Sequence, residues 1–118
     1  LMCDFVRQFN RETAARGSRL AVVIIPAREQ VIDEEWQKIL TAFPEMKEKK
    51  WNRLQPLEKL RTCLDQEAVP YADLYPVFMS AQAAGKERVE YHTDPPLNTY
   101  GHELVAKSVF TLLSTLIK

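Results

Sequence analysis

Neither sign of charge is in surplus: 16 Lys and Arg balance 16 Asp and Glu, for a net charge of zero. A polyanion-binding protein needs a basic excess, so the composition points away from nucleic acid and anionic membrane surfaces. Cysteine is scarce. Cys3 and Cys63 are the only two, and their spacing is neither a metal signature nor a disulfide framework. The expectation is two ordinary, partly buried thiols. No apolar run approaches the ~18 residues of a membrane span. The longest is Leu20 to Pro26. A secretory signal pattern is also missing. Nothing in the chain assigns a compartment, and nothing calls for a metal or cofactor.

What is there reads as one ordinary globular unit, 46% hydrophobic and 27% charged over 118 residues. Met2, Phe5, Val6 and Phe9 have helical spacing, and Gly17 is a terminator, so residues 1–16 are expected to be a helix. The pattern is already amphipathic at Leu1, which suggests that further helix precedes it. Leu20-Ala21-Val22-Val23-Ile24-Ile25 is continuously apolar and ends at Pro26. Continuity rather than alternation is the mark of a strand covered on both faces, as in a parallel sheet.

Asp33, Glu34 and Glu35 suit a helix start, followed by Trp36, Ile39, Leu40 and Phe43, with Pro44 as an interruption. Lys47-Glu48-Lys49-Lys50 reads as solvated surface. Leu54, Leu57, Leu60, Cys63 or Leu64, and Ala68 form a second stripe with Pro56 in the first turn. Val69 to Tyr75 is a short strand candidate leading into a loop. Val77 to Ala84 is helical and stops at Gly85. Val89-Glu90-Tyr91 is short and extended. Asn98 or Thr99 caps a last helix whose stripe is Val105, Val109, Leu112, Leu113 and Leu116.

Alternating strands and helices imply an α/β fold with parallel strands flanked by helices, and no internal boundary divides residues 1–118. Two convincing strands are few for an independent sheet. The isolated chain is therefore expected to self-associate, through strands or amphipathic helix faces.

The segment from Tyr91 to Ala106 carries the functional signal. Asn98, Gly101, His102, Val105 and Ala106 match the last block of SGNH (GDSL-type) hydrolases, which this part of the chain resembles. Leu20 to Pro26 is similar to that family's penultimate core strand, and Pro70 to Pro76, with Asp73-Leu74, to the strand and loop before the final block. The resemblance spans most of residues 1–118. It implies the C-terminal part of a three-layer, flavodoxin-like domain and an acyl-ester hydrolase or acyltransferase, acting on an ester or acylated glycan. In such a site a serine attacks the carbonyl, a histidine accepts its proton and an aspartate orients the histidine.

This chain departs from that pattern in two ways. It has no Gly-Asp-Ser nucleophile motif, and Pro96 stands where the family's catalytic histidine falls. The resemblance leaves Asp94 as a site residue, against the plainer reading of a turn residue before Pro95. His92, two residues earlier, is the candidate replacement base, against the plainer reading of an exposed loop histidine. His102 falls outside the family's catalytic pair and reads as structural. His92, Asp94 and His102 are chemically sensible metal ligands, but their spacing is no known ligand signature. Arg28 and Glu29 follow the first strand directly. Ligands of open α/β sheets bind there, so Arg28 is a candidate contact for an anionic substrate group; a surface ion pair is the alternative. The chain alone is expected to be catalytically dead. A non-catalytic binding or assembly module on the same scaffold is the competing reading, motivated by Pro96.

Overall fold

The computed structural model describes residues 2–84, 89–92 and 96–117. The chain runs α1 (Met2–Ala15), β1 (Val22–Ile24), α2 (Arg28–Val31), α3 (Asp33–Ala42), α4 (Pro44–Glu48), α5 (Gln55–Gln66), β2 (Tyr71–Asp73), α6 (Tyr75–Ala84) and α7 (Thr99–Ile117). The two strands pair in parallel, with Val22 opposite Tyr71 and Ile24 opposite Asp73. The fold is thus α/β with a small two-stranded parallel sheet. Among the described residues no helix is long and apolar enough to cross a membrane.

Strand alternation explains the unbroken apolar run. Ile24, with Val22 beside it, packs with Leu57, Leu64 and Val69 on the α5 side, where Val6 of α1 joins them. Val23 points the other way, toward Leu74, Phe78, Ala81 and Val89. The coverage ends sooner than the sequence suggests, because Ile25 is about half exposed.

Three helices end in the same device. The residue after the cap takes a left-handed conformation, and two backbone bonds close over the last turn. In α1 this residue is Gly17, with Gly17 N donating to Ala14 O and Ser18 N to Thr13 O. In α4 it is Lys50, with donors Lys50 N and Trp51 N to Lys47 O and Met46 O. In α5 it is Ala68, with Ala68 N to Asp65 O and Val69 N to Leu64 O. The expected second stripe is corrected accordingly: Ala68 lies beyond the helix and is exposed. Pro44 does not merely interrupt α3; it opens α4, where its missing N–H costs nothing.

Two further expectations are overturned. Cys3 and Cys63 form a disulfide, with Cα atoms 5.2 Å apart, joining α1 to α5. Spacing alone hid this, because the pairing depends on two helices lying side by side. Arg7 reinforces it through Glu67 at 2.8 Å, and Asn10 Nδ2 donates to the Glu67 carbonyl. The α7 stripe also fails to bury: Val105, Val109, Leu112 and Leu116 are only half buried, and Gly101 is the helix's one buried residue.

Candidate functional site

The site is built where β1 ends. Pro26 is fully buried, and its carbonyl accepts a 2.8 Å hydrogen bond from the Tyr91 hydroxyl. That bond holds Tyr91 at the carboxyl end of β1, the side on which open α/β sheets bind ligands. Tyr91 also meets Phe78 edge to face, with ring centroids 6.4 Å apart. Burial holds its phenol well above the ordinary tyrosine range, and the Glu29 carboxylate pushes the same way.

The segment around Tyr91 is pinned as well. Gln82 of α6 clamps Val89, accepting from its N–H at 3.0 Å and donating to its carbonyl at 3.2 Å. Tyr91 and Leu97 form an antiparallel bridge. His92 N donates to Pro96 O at 2.8 Å, and Asn98 N to Glu90 O at 3.0 Å. Asn98, one of the two cap candidates, then starts α7, its side-chain oxygen accepting from Gly101 N at 2.9 Å. Gly101 is required at close quarters: a Cβ there would lie 3.1 Å from Leu97 Cβ and 3.2 Å from Val89 Cγ1.

The opposite wall is braced by Gln30 and Arg53. Gln30 accepts from Ala27 N at 2.8 Å and donates to the Arg53 carbonyl at 3.1 Å. Arg53 reaches Asp33 at 3.1 Å. Between the walls lies a cleft of about 690 Å³, bordered by Arg28, Asp33, Glu34 and Glu35 on one side and by Gln82, Glu90, Tyr91 and His92 on the other. Its floor includes Val31 and Val89. Carboxylates outnumber cations around it, so its field favours a neutral or cationic ligand over an anionic one.

His92 sits on this cleft and is exposed, with Nε2 3.5 Å from Glu90 Oε2. The contact joins two exposed side chains and is an ion pair only when the imidazole is protonated. Arg28 borders the cleft too, but its Nε lies 3.8 Å from Glu35 Oε2. Its charge is therefore already partnered, and the ion-pair reading holds. Pro96 is exposed, and His102 projects from the first turn of α7 into solvent. Asp94 lies outside the described residues. Among the described residues no group of three or more His, Cys, Asp and Glu side chains is placed to hold a metal ion.

Sequence reasoning overlooked Tyr91, Gln82 and Glu90. Tyr91 carried a readable hint, an aromatic directly beside the candidate histidine. Gln82 and Glu90 carried none, since their roles depend on how α6 meets the segment. No family model, no curated protein and no solved structure matches the chain.

Proposed function

We propose that this chain is the C-terminal portion of an SGNH-type acyl-ester hydrolase or acyltransferase scaffold, and that the 690 Å³ cleft is its substrate side. One observation carries the reading: Tyr91, next to His92, is tied to the carboxyl end of β1, and Asn98, whose N–H donates to Glu90 O, caps the helix that follows. This is the position that the resemblance of Asn98 to Ala106 implies for the acid–base loop. Helices on both faces of the β1–β2 pair suit the finer architecture, a partial three-layer, flavodoxin-like domain.

The substrate class is an ester or acylated glycan whose acyl or alcohol part fills the apolar floor at Val31 and Val89. His92 is the residue for proton transfer, with Glu90 partnering it and Asp94 retained as a second acidic group. Among the described residues bordering the cleft there is no serine, threonine or cysteine, and the chain has no Gly-Asp-Ser motif, so on this reading the nucleophile comes from elsewhere in the scaffold. The disulfide fits a scaffold that works in oxidising surroundings.

Assaying the 118-residue chain with p-nitrophenyl acetate tests the reading. The expected result is no turnover beyond that of free imidazole. Substantial turnover that disappears on changing one residue of this chain would overturn it, because the chain would then hold a complete site.

A second reading has its own observation. Pro96 cannot accept a proton, and the described cleft lacks a nucleophile, so the scaffold can have been retired to a non-catalytic binding or assembly module. Fluorophosphonate labelling of the parent polypeptide separates the two. A labelled serine, with labelling slowed roughly 100-fold or more by His92→Ala, supports the enzyme. No labelling supports the module.

A further inference from the structure

The outer face of α7 is apolar, as is its half-buried inner one. A surface helix normally turns its apolar stripe inward and its polar side to water. Here Lys107, Ser108, Thr111, Leu112 and Thr115 line a gap of about 430 Å³ between α7 and β2. Phe110, Leu113 and Ile117 face solvent, 73%, 46% and 83% exposed. With Ala106, also exposed, they fall at spacings of 4, 3 and 4, the repeat of a helix–helix seam. No charged residue occurs from Ser108 to Ile117.

The area of the molecule shows that there is uncovered surface enough for an interface, without placing it on one face. The chain exposes 8464 Å², whereas a compact monomer of its 13.7 kDa exposes about 6,600 Å². The excess, roughly 1,900 Å², is more than twice the ~800 Å² that each partner contributes to a standard stable interface. The radius of gyration, 16.4 Å, likewise exceeds the ~13.5 Å of a compact 118-residue chain.

We propose that this stripe is the seam of a homodimer, in which α7 of one copy packs antiparallel against α7 of a second about a two-fold axis. An uncharged stripe of Ala106, Phe110, Leu113 and Ile117 is complementary to itself, and a chain of zero net charge meets its copy without repulsion. The competing apolar face, Met2, Phe5 and Phe9 on α1, is bordered along its length by Asp4, Gln8 and Glu12, whereas among the described residues the α7 stripe meets charge only at its Ala106 end, at Glu103 and Lys107, and suits self-pairing better. The seam does not depend on the role of the cleft.

Sedimentation equilibrium and light scattering on the 118-residue chain test the proposal. The wild type is expected at twice the 13.7 kDa monomer mass. Phe110→Glu places two carboxylates in the seam and is expected to weaken association by about 100-fold or more. Far-UV circular dichroism checks that α7 persists. Should Phe110→Glu unfold the protein, Ile117→Lys at the exposed end of α7 decides instead. Phe5→Glu on α1 is expected to leave the dimer intact. A monomeric wild type overturns the proposal. So does a dimer that survives both α7 changes, or one that only Phe5→Glu disrupts.

Discussion

Cutting the Cys3–Cys63 link tests how much of the fold depends on the clamp between α1 and α5. The bond closes a loop of 60 residues. Loop-closure entropy for that length stabilises the folded state by about 4 kcal/mol through the unfolded chain. Cys3→Ser is the change to make. Cys63 is 2% exposed, so its thiol stays behind as a small apolar group and leaves no cavity. Unfolding 118 residues carries an entropy of roughly 0.25 kcal/mol per kelvin, so losing ~4 kcal/mol lowers Tm by about 16 °C. Nothing in α1 is fully buried, and Arg7–Glu67, Asn10–Glu67 and the half-buried Val6 are what remain to hold it. A 14-residue helix is marginal alone, so fraying of α1 should appear as a sloping baseline before the main transition. Thermal circular dichroism of the oxidised wild type, the reduced wild type and Cys3→Ser makes the comparison, with thiol titration confirming the oxidation state. A fall of less than about 3 °C in both reduced forms would refute the entropic argument.

Three other perturbations probe the site and its supports. Tyr91→Phe removes the bond to the Pro26 carbonyl and is expected to cost about 1–2 kcal/mol in urea unfolding; an unchanged midpoint would show that the bond does not hold the loop. The wild type should also lose stability as pH climbs above about 10, the unfolded tyrosine value, because the folded Tyr91 phenol is raised: its contribution is complete below that pH and disappears as the unfolded chain ionises first. Tyr91→Phe should flatten part of that alkaline fall but not all, since desolvation also raises Tyr71, and a profile identical to wild type would count against the assignment. Ala68→Gly, at φ 55°, should raise stability by about 0.5–1 kcal/mol, read as a higher urea midpoint; destabilisation would refute the left-handed ending of α5. Gly101→Ala gains helix propensity but pushes a Cβ against Leu97 and Val89, 5% and 1% exposed, so a net loss of about 1–2 kcal/mol is expected and a gain would show that this packing yields.

What the sequence made legible was local. The Leu20 to Ile25 run, the Gly17 stop, the Asn98 cap and the Asp33 helix start each depend on a few neighbouring residues. They reappear as β1, the end of α1, the start of α7 and the start of α3. Two of the three left-handed helix ends were illegible for the opposite reason. Lys50 and Ala68 carry no glycine signature; they hold that conformation because the closing hydrogen bonds, and in α5 the packing of Val69 on Leu64, offset the strain. The disulfide was hidden because proximity across 60 residues is a tertiary fact.

The last helix shows why periodicity finds an apolar face but not its partner. Val105, Val109, Leu112 and Leu116 form one stripe, and Ala106, Phe110, Leu113 and Ile117 a second, rotated from it by about a quarter-turn at 3.6 residues per turn. Sequence alone favours the first as the sheet-facing stripe, since its residues are branched and regularly spaced. That stripe does turn inward, half-buried along its length, while the second stays exposed. The helix enters at Gly101, where it approaches Leu97 and Val89 closely, and that approach sets its rotation. Leu104 and Val105 therefore reach the core around Leu74 and Phe78, while over the following one to three turns, roughly, Ser108, Thr111, Leu112 and Thr115 face β2 and, at the end, Ile117 faces water. The same Asn98–Gly101 start that positions the His92 loop over the cleft thus dictates which stripe of α7 is left outside. A change at Gly101 should consequently disturb both, and the cleft and the exposed seam are two outcomes of one packing decision.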